Sequence, residues 1–183
     1  MCRRAGEAGR IPPQNDRGAS RRHCGVATLL PRQRLVYADT IREHRYAVKY
    51  LVDTNVLSEL TKPQPQPRVV EWLKFHNDDL VVNPVVRGEL HFGILLLPPG
   101  RKRRQLLEWY RQGASRLRVV DFDAETGDHW ATLLVELRHK GRAMPVKDSL
   151  IAASARQYNL VVATRNVDDY NAAGIRLVDP FTA

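Results

Sequence analysis

Long apolar runs are missing from this chain. Nothing in it approaches the roughly 20 residues that cross a bilayer, so no membrane span is expected. Cysteine is scarce: Cys2 and Cys24 both lie near the N-terminus, without paired metal-ligand spacing, and a disulfide there would tie down nothing. His76, His91, His129 and His139 lack the spacing of a zincin helix and read as surface or core-margin residues. The chain has no glycine-rich phosphate loop and no nucleophile elbow, which excludes P-loop NTPase and α/β-hydrolase chemistry. The early arginines are followed by no apolar stretch, so no secretory leader is read and a cytoplasmic protein is expected.

Negative charge is also in short supply, with 20 acids against 29 Lys and Arg for a formal +9. The excess is uneven. Residues 1–47 hold ten arginines against Glu7, Asp16, Asp39 and Glu43, a net +6. That stretch is rich in Arg, Gly and Pro and shows no sustained period of 3.6 or 2. It is expected to be a disordered tail, or to lie upstream of a true start near Val48 or Tyr50. Most of the charge therefore says little about nucleic acid.

From residue 48 to 183 the pattern is regular and reads as one domain. Short apolar strands are expected at Tyr50–Val52, Leu80–Val82, Val119–Val120, Leu160–Ala163 and Ile175–Val178. Between them fall helical patterns. One follows Asp53, with Thr54 or Asn55 as cap, and one opens at Pro67 after a proline-rich break. Others span Pro84 to about Leu97, Lys102–Leu117, Ala124–Lys140, Pro145 to near Asn159, and Val167–Ala173. Trp130, Leu133, Leu134 and Leu137 are expected on the inner side of the Ala124 helix. Alternation of this kind specifies an α/β fold: a short parallel sheet of about five strands flanked by helices.

Four acids stand out against this background. Asp53 and Asp169 lie just past the first and fourth strands, where open parallel sheets bind ligands. Glu89 shares a helical face with Val85, Phe92 and Leu96, and Asp148 shares one with Ala152 and Ala155. Each has a plainer reading. Asp53 would serve as a helix cap, Glu89 as a marginal exposed residue, and Asp148 as a first-turn acid favoured by the helix dipole. Together they form a hard-oxygen set that suits Mg²⁺ or Mn²⁺ and in-line phosphoryl transfer.

These residues carry a resemblance. Leu51-Val52-Asp53-Thr54-Asn55-Val56-Leu57-Ser58-Glu59-Leu60, Gly88-Glu89-Leu90-His91-Phe92-Gly93, Pro145-Val146-Lys147-Asp148 with Ile151-Ala152-Ala153, and Thr164-Arg165-Asn166-Val167-Asp168-Asp169-Tyr170 stand in order. Over residues 49–180 the chain resembles the PIN-domain ribonucleases, specifically the VapC-type toxins of toxin–antitoxin pairs and their FitB-like relatives. The resemblance implies a PIN-like fold and a Mg²⁺- or Mn²⁺-dependent endoribonuclease. It implies an acidic core of Asp53, Glu89 and Asp148, with Asp53 and Asp148 as principal metal ligands. The fourth position falls to Asp169, with Asp168 and Asn166 as alternatives. Thr54, Asn55, Thr164 and Asn166 would support the acids. A DNA-binding, VapB-like antitoxin and a homodimer are implied as partners. The rival within this fold is a FitB-like regulatory module with weak or no nuclease activity.

Arg142, Lys147 and Arg165 lie nearest the motifs and are candidate RNA contacts. The run Arg101-Lys102-Arg103-Arg104 reads either as a solvated helix start or as a phosphate contact that opposes the helix dipole. Trp72, Trp109 and Trp130 are expected in the core or at a dimer contact. Asp121-Phe122-Asp123 has the spacing of a phosphatase nucleophile pair, but no later motif supports that chemistry.

Overall fold

The computed structural model describes residues 50–183. The expectation for residues 1–47 lies outside the described residues. Five strands, all parallel, form one sheet in the order β3-β2-β1-β4-β5. They are β1 (Tyr50–Val52), β2 (Leu80–Val82), β3 (Arg118–Val119), β4 (Val161–Ala163) and β5 (Arg176–Val178). The central strand β1 pairs Tyr50 with Leu80 on one side and with Val161 on the other. A strand covered on both faces needs no polar alternation, and Leu51, Val52, Val81 and Val162 are wholly buried. The edge strands β3 and β5 expose Arg118 and Arg176, whose charge discourages further pairing. Strand order reverses between β1 and β4, so the crevice at their carboxyl ends is the topological switch point.

The helices are α1 (Thr54–Leu57), α2 (Pro67–Phe75), α3 (Pro84–Leu95), α4 (Arg101–Gln112), α5 (Ala124–His139), α6 (Val146–Tyr158) and α7 (Val167–Tyr170). Pro67 and Pro84 open their helices at positions where a missing N–H costs nothing. Buried Asn83 caps α3 through the Val86 N–H at 3.0 Å, and its amide donates to Ser154 Oγ at 3.0 Å. One side chain thus fixes the start of α3 against α6. Small buried residues on α6, among them Ser149, Ala152, Ala153 and Ala155, let it pack closely. Gly174 takes φ +63°, and a Cβ there would also meet Arg156 at 3.7 Å. Among the described residues no helix is long and apolar enough to cross a membrane.

Several details differ from the sequence reading. Of the caps read for α1, Asp53 takes the role rather than Thr54 or Asn55, and the helix tightens into a 3₁₀ turn at Ser58–Thr61. α4 stops at Gln112 rather than Leu117, because Gly113 breaks it and Ala114–Arg116 follows as a 3₁₀ turn. β3 begins one residue early, although the Val120 N–H still reaches the Val82 carbonyl at 2.8 Å. Leu134 is 38% exposed; Leu133 and Leu137 are the residues that α5 buries. Asp123 closes a capping box with Thr126 and accepts from the Gln157 amide at 2.9 Å, while the Asp121 carbonyl accepts from Tyr158. The Asp123 carboxylate is thereby committed to capping α5 and to Gln157 rather than free as one half of a nucleophile pair. Trp72 meets Tyr50 edge-on at 5.0 Å, and Trp109 packs against the core.

Candidate active site

Asp53 ends β1. Its N–H completes the ladder to the Ala163 carbonyl at 2.9 Å, and the chain turns at once into α1. The residue is 5% exposed. Its Oδ1 accepts the Thr54 N–H at 2.6 Å; its Oδ2 accepts from Asn55 Nδ2 and Thr164 Oγ1, both at 2.7 Å. Thr164 Oγ1 accepts in turn from Asn55 Nδ2 at 3.0 Å and from the Asn166 N–H at 3.1 Å. Asn55 Oδ1 accepts the Arg165 N–H at 3.1 Å. The donor and both acceptor positions of Thr164, and both amide donors of Asn55, are therefore in use. Burial raises the Asp53 carboxyl above its ordinary pKa and Glu89 adds to the rise, while the bonds from Thr164, Thr54 and Asn55 oppose it.

Glu89 sits in the second turn of α3, half-buried. Thr54 Oγ1 donates to its Oε2 at 2.8 Å, and Lys147 Nζ lies 2.8 Å from its Oε1. The expected apolar stripe around it is not the core face. Phe92 is 59% and Leu96 68% exposed, while Val86, Leu90 and Ile94 are the buried row. The buried row lies one residue on from the stripe read in the sequence, so Glu89 sits at the border of the buried face.

Asp148 lies in the first turn of α6, half-buried, with the Tyr170 hydroxyl donating towards its Oδ1 at a long 3.5 Å. Burial pushes its carboxyl up to a pKa of about 6, and the charges of Asp53, Asp169 and Glu89 add to the rise. The fold thus brings the other three predicted acids within electrostatic reach of Asp148. Asp169 is on the exposed side. Asp168 instead accepts from Asn171 Nδ2 at 3.1 Å.

The cations divide differently. Lys147 joins the acids, held by Glu89, which keeps its ammonium charged. Arg165 reaches the site through its backbone, but its guanidinium stands over the Phe181 ring at 5.1 Å. Arg142 is exposed after α5, where its N–H closes the helix end on the Leu137 carbonyl at 2.9 Å. The run Arg101–Arg104 opens α4, and Arg103 Nη1 reaches the Leu97 carbonyl at 3.4 Å. Sequence reasoning missed Tyr170, which is 1% exposed beneath Asp148. The available signal was a large aromatic directly after an acid in a short terminal helix.

Four carboxylates with no histidine or cysteine match the oxygen ligands of Mg²⁺ or Mn²⁺, and their mutual repulsion is what such an ion relieves. The residues fit by charge and donor type. Among the described residues, though, no three His, Cys, Asp or Glu side chains are grouped closely enough to hold an ion as they stand. Both oxygens of Glu89 already have partners.

A profile of the PIN domain matches residues 50–175. The chain belongs to the PIN-domain family. Among PIN-domain relatives, toxin FitB of Neisseria gonorrhoeae is 34% identical over 135 residues, covering 72% of this chain and 97% of that protein. The VapC ribonuclease Y4jK of Sinorhizobium fredii is 31% identical, covering 72% of this chain and 96% of that protein. Among solved structures, FitAB bound to the IR36 DNA fragment superposes with a TM-score of 0.69 at 32% identity, covering 72% of this chain and 95% of that one. The family and the five-stranded parallel sheet read from the sequence are borne out.

Proposed function

We propose that this PIN domain is the endoribonuclease toxin of a toxin–antitoxin pair, dependent on Mg²⁺ or Mn²⁺. The observation that carries the reading is the convergence of Asp53, Glu89, Asp148 and Asp169 from four separate elements on the carboxyl edge of the sheet. The ribonuclease name of one relative supports it.

Asp53 and Asp148 would hold the ion; when bound, it would supply a Lewis acid that activates water and offsets charge on a phosphodiester. Thr164 and Asn55 fix the Asp53 carboxylate, and Asn166 locks Thr164 through its N–H. Thr54 fixes Glu89. Glu89 or Asp169 would orient the attacking water in line with the scissile bond. Lys147 stands where it can meet a phosphate. Arg142 and Arg165 are weaker RNA contacts, because neither guanidinium is engaged at the acids.

The partner would be a small DNA-binding antitoxin that places an Arg or Lys at the acids, as FitB shares a complex with FitA on DNA. A homodimer would cover part of the exposed row of Phe92 and Leu95 on α3 and Leu96 at its end. Such a pair acts on cytoplasmic RNA. Expression of this chain alone should arrest growth, and the product of the adjacent small reading frame should rescue it by forming a complex with suppressed RNase activity. A complex that cleaves RNA as fast as the free protein would sink the inhibition model.

A second reading has one observation in its favour. With both Glu89 oxygens partnered and no three donors grouped among the described residues, the chain also suits a regulatory module that acts mainly through a DNA-binding partner. RNA cleavage by the free protein separates the two.

A further inference from the structure

We propose that Lys147 is an exchangeable counter-cation of the acidic site: it neutralises Glu89 before a divalent ion binds, leaves that carboxylate to the ion's water when Asp53 and Asp148 take the ion, and transfers its charge to an RNA phosphate. This rests on the nuclease reading above.

The geometry points to exchange rather than a fixed bridge. Glu89 has both oxygens committed, Oε2 to the Thr54 hydroxyl and Oε1 to Lys147 Nζ, each at 2.8 Å. Each oxygen keeps a second lone pair, but an ammonium 2.8 Å from Oε1 repels a divalent ion approaching that side, so the lysine must move for the ion to draw on Glu89. Thr54 belongs to the turn that fixes Asp53 and is half-buried. Lys147 is 62% exposed at its side chain while Glu89 is 23% exposed, so the lysine is the partner that can leave into water. A strongly hydrated ammonium on a flexible stem does so readily, and an exposed pair of this kind is weak.

Placement fixes where the charge goes next. Lys147 immediately precedes Asp148 on the first turn of α6, so its ammonium stays tethered at the acidic rim. Among the described residues no other ion pair reaches Asp53, Glu89, Asp148 or Asp169. An incoming phosphodiester meets four carboxylates that repel it and one mobile cation that does not. As a point charge with three donors, lysine suits a phosphate whose position shifts during reaction.

The test compares the full-length wild type, Lys147→Met, Lys147→Arg and Asp148→Asn. Calorimetry without RNA gives the Mn²⁺ affinity of the folded proteins. Cleavage of a randomised-sequence RNA oligonucleotide is followed at several salt concentrations. Lys147→Met should bind Mn²⁺ about three- to tenfold more tightly, since it loses a competing cation. It should cleave at least about tenfold more slowly in kcat/KM, and lose about 0.7 from the slope of log rate against log salt, the mark of one phosphate contact on a single strand. Lys147→Arg should recover most of the cleavage. Unchanged or weaker Mn²⁺ binding in Lys147→Met, or an unchanged salt slope, would overturn the exchange. Failure of the nuclease reading looks different: the wild type would then take up no Mn²⁺ and would not differ from Asp148→Asn, and the exchange would fall with it.

Discussion

The Thr164 hydroxyl donates to Asp53 Oδ2 at 2.7 Å and so joins the carboxyl ends of β4 and β1 across the point where strand order reverses. Thr164 is wholly buried and also accepts from Asn55 and from the Asn166 N–H. One hydroxyl therefore sets the orientation of the most buried of the four site acids and the path of the loop that carries Asp169.

Thr164→Val keeps the shape and removes the hydroxyl. It leaves the Asn166 N–H and one Asn55 donor without their acceptor, so a loss of about 1–3 kcal/mol is expected. Thermal melts should fall by several degrees. RNA cleavage should fall about tenfold or more at unchanged metal concentration and recover in part at high Mn²⁺, because ligand orientation rather than ligand identity is lost. Wild-type activity in a folded Thr164→Val would remove this hydroxyl from the account.

Stability in EDTA should fall as pH rises. Asp148 has its pKa raised to about 6 in the folded chain, against roughly 3.9 unfolded. A raised pKa means that the folded state favours the protonated form. The contribution is therefore fully present below about pH 4 and is lost as pH climbs through about 6. Its size is at most about 2–3 kcal/mol and smaller after solvent screening. Melts across pH 4–8 should show this decline in the wild type, a flatter profile in Asp148→Asn, and its reversal by Mn²⁺ at neutral pH. A melting point that rises over that window in EDTA, equally in both proteins, would contradict it.

The sheet was legible because its three inner strands are unbroken apolar runs, and Asp53 was legible because it directly follows the first of them. The neighbourhood of Glu89 was not. Counting Val85, Glu89, Phe92 and Leu96 picks out one side of the helix, but the fold buries the neighbouring row Val86, Leu90 and Ile94 and leaves Phe92 and Leu96 to solvent, a choice of packing partner that periodicity alone does not settle. The ion pair of Lys147 with Glu89 joins residues 58 positions apart on different helices, and no local pattern encodes it. The aromatic over which the Arg165 guanidinium stands, Phe181, lies beyond the last strand, so its place in a motif gave no sign of that contact.

Away from the site, Arg156 forks onto Glu136, with Nη1 to Oε1 at 3.1 Å and Nη2 to Oε2 at 2.7 Å, and Nε donates to the Ala173 carbonyl at 3.1 Å. It ties α6 to α5 and to the turn before β5. Arg156→Met should cost about 1–3 kcal/mol, because the half-buried carbonyl loses its donor. Arg156→Lys should recover only part of that, since a point charge cannot bridge both partners. Urea midpoints of the two variants check the order; equal stability of wild type and Arg156→Met would show that the fork contributes nothing.

The most direct measurement is cleavage of pooled RNA by wild type and Asp148→Asn in Mg²⁺, Mn²⁺ or EDTA, with melts of the same preparations. Asp148→Asn is preferred to Asp53→Asn, because an amide at 53 would turn a donor towards Asn55 and Thr164 and disturb the fold. The expected result is wild-type cleavage with either ion and none in EDTA. Asp148→Asn should lose about 10²-fold or more while melting at or slightly above the wild-type temperature in EDTA. Wild-type cleavage that survives EDTA, or a folded Asp148→Asn that cleaves normally, would contradict the metal-nuclease account.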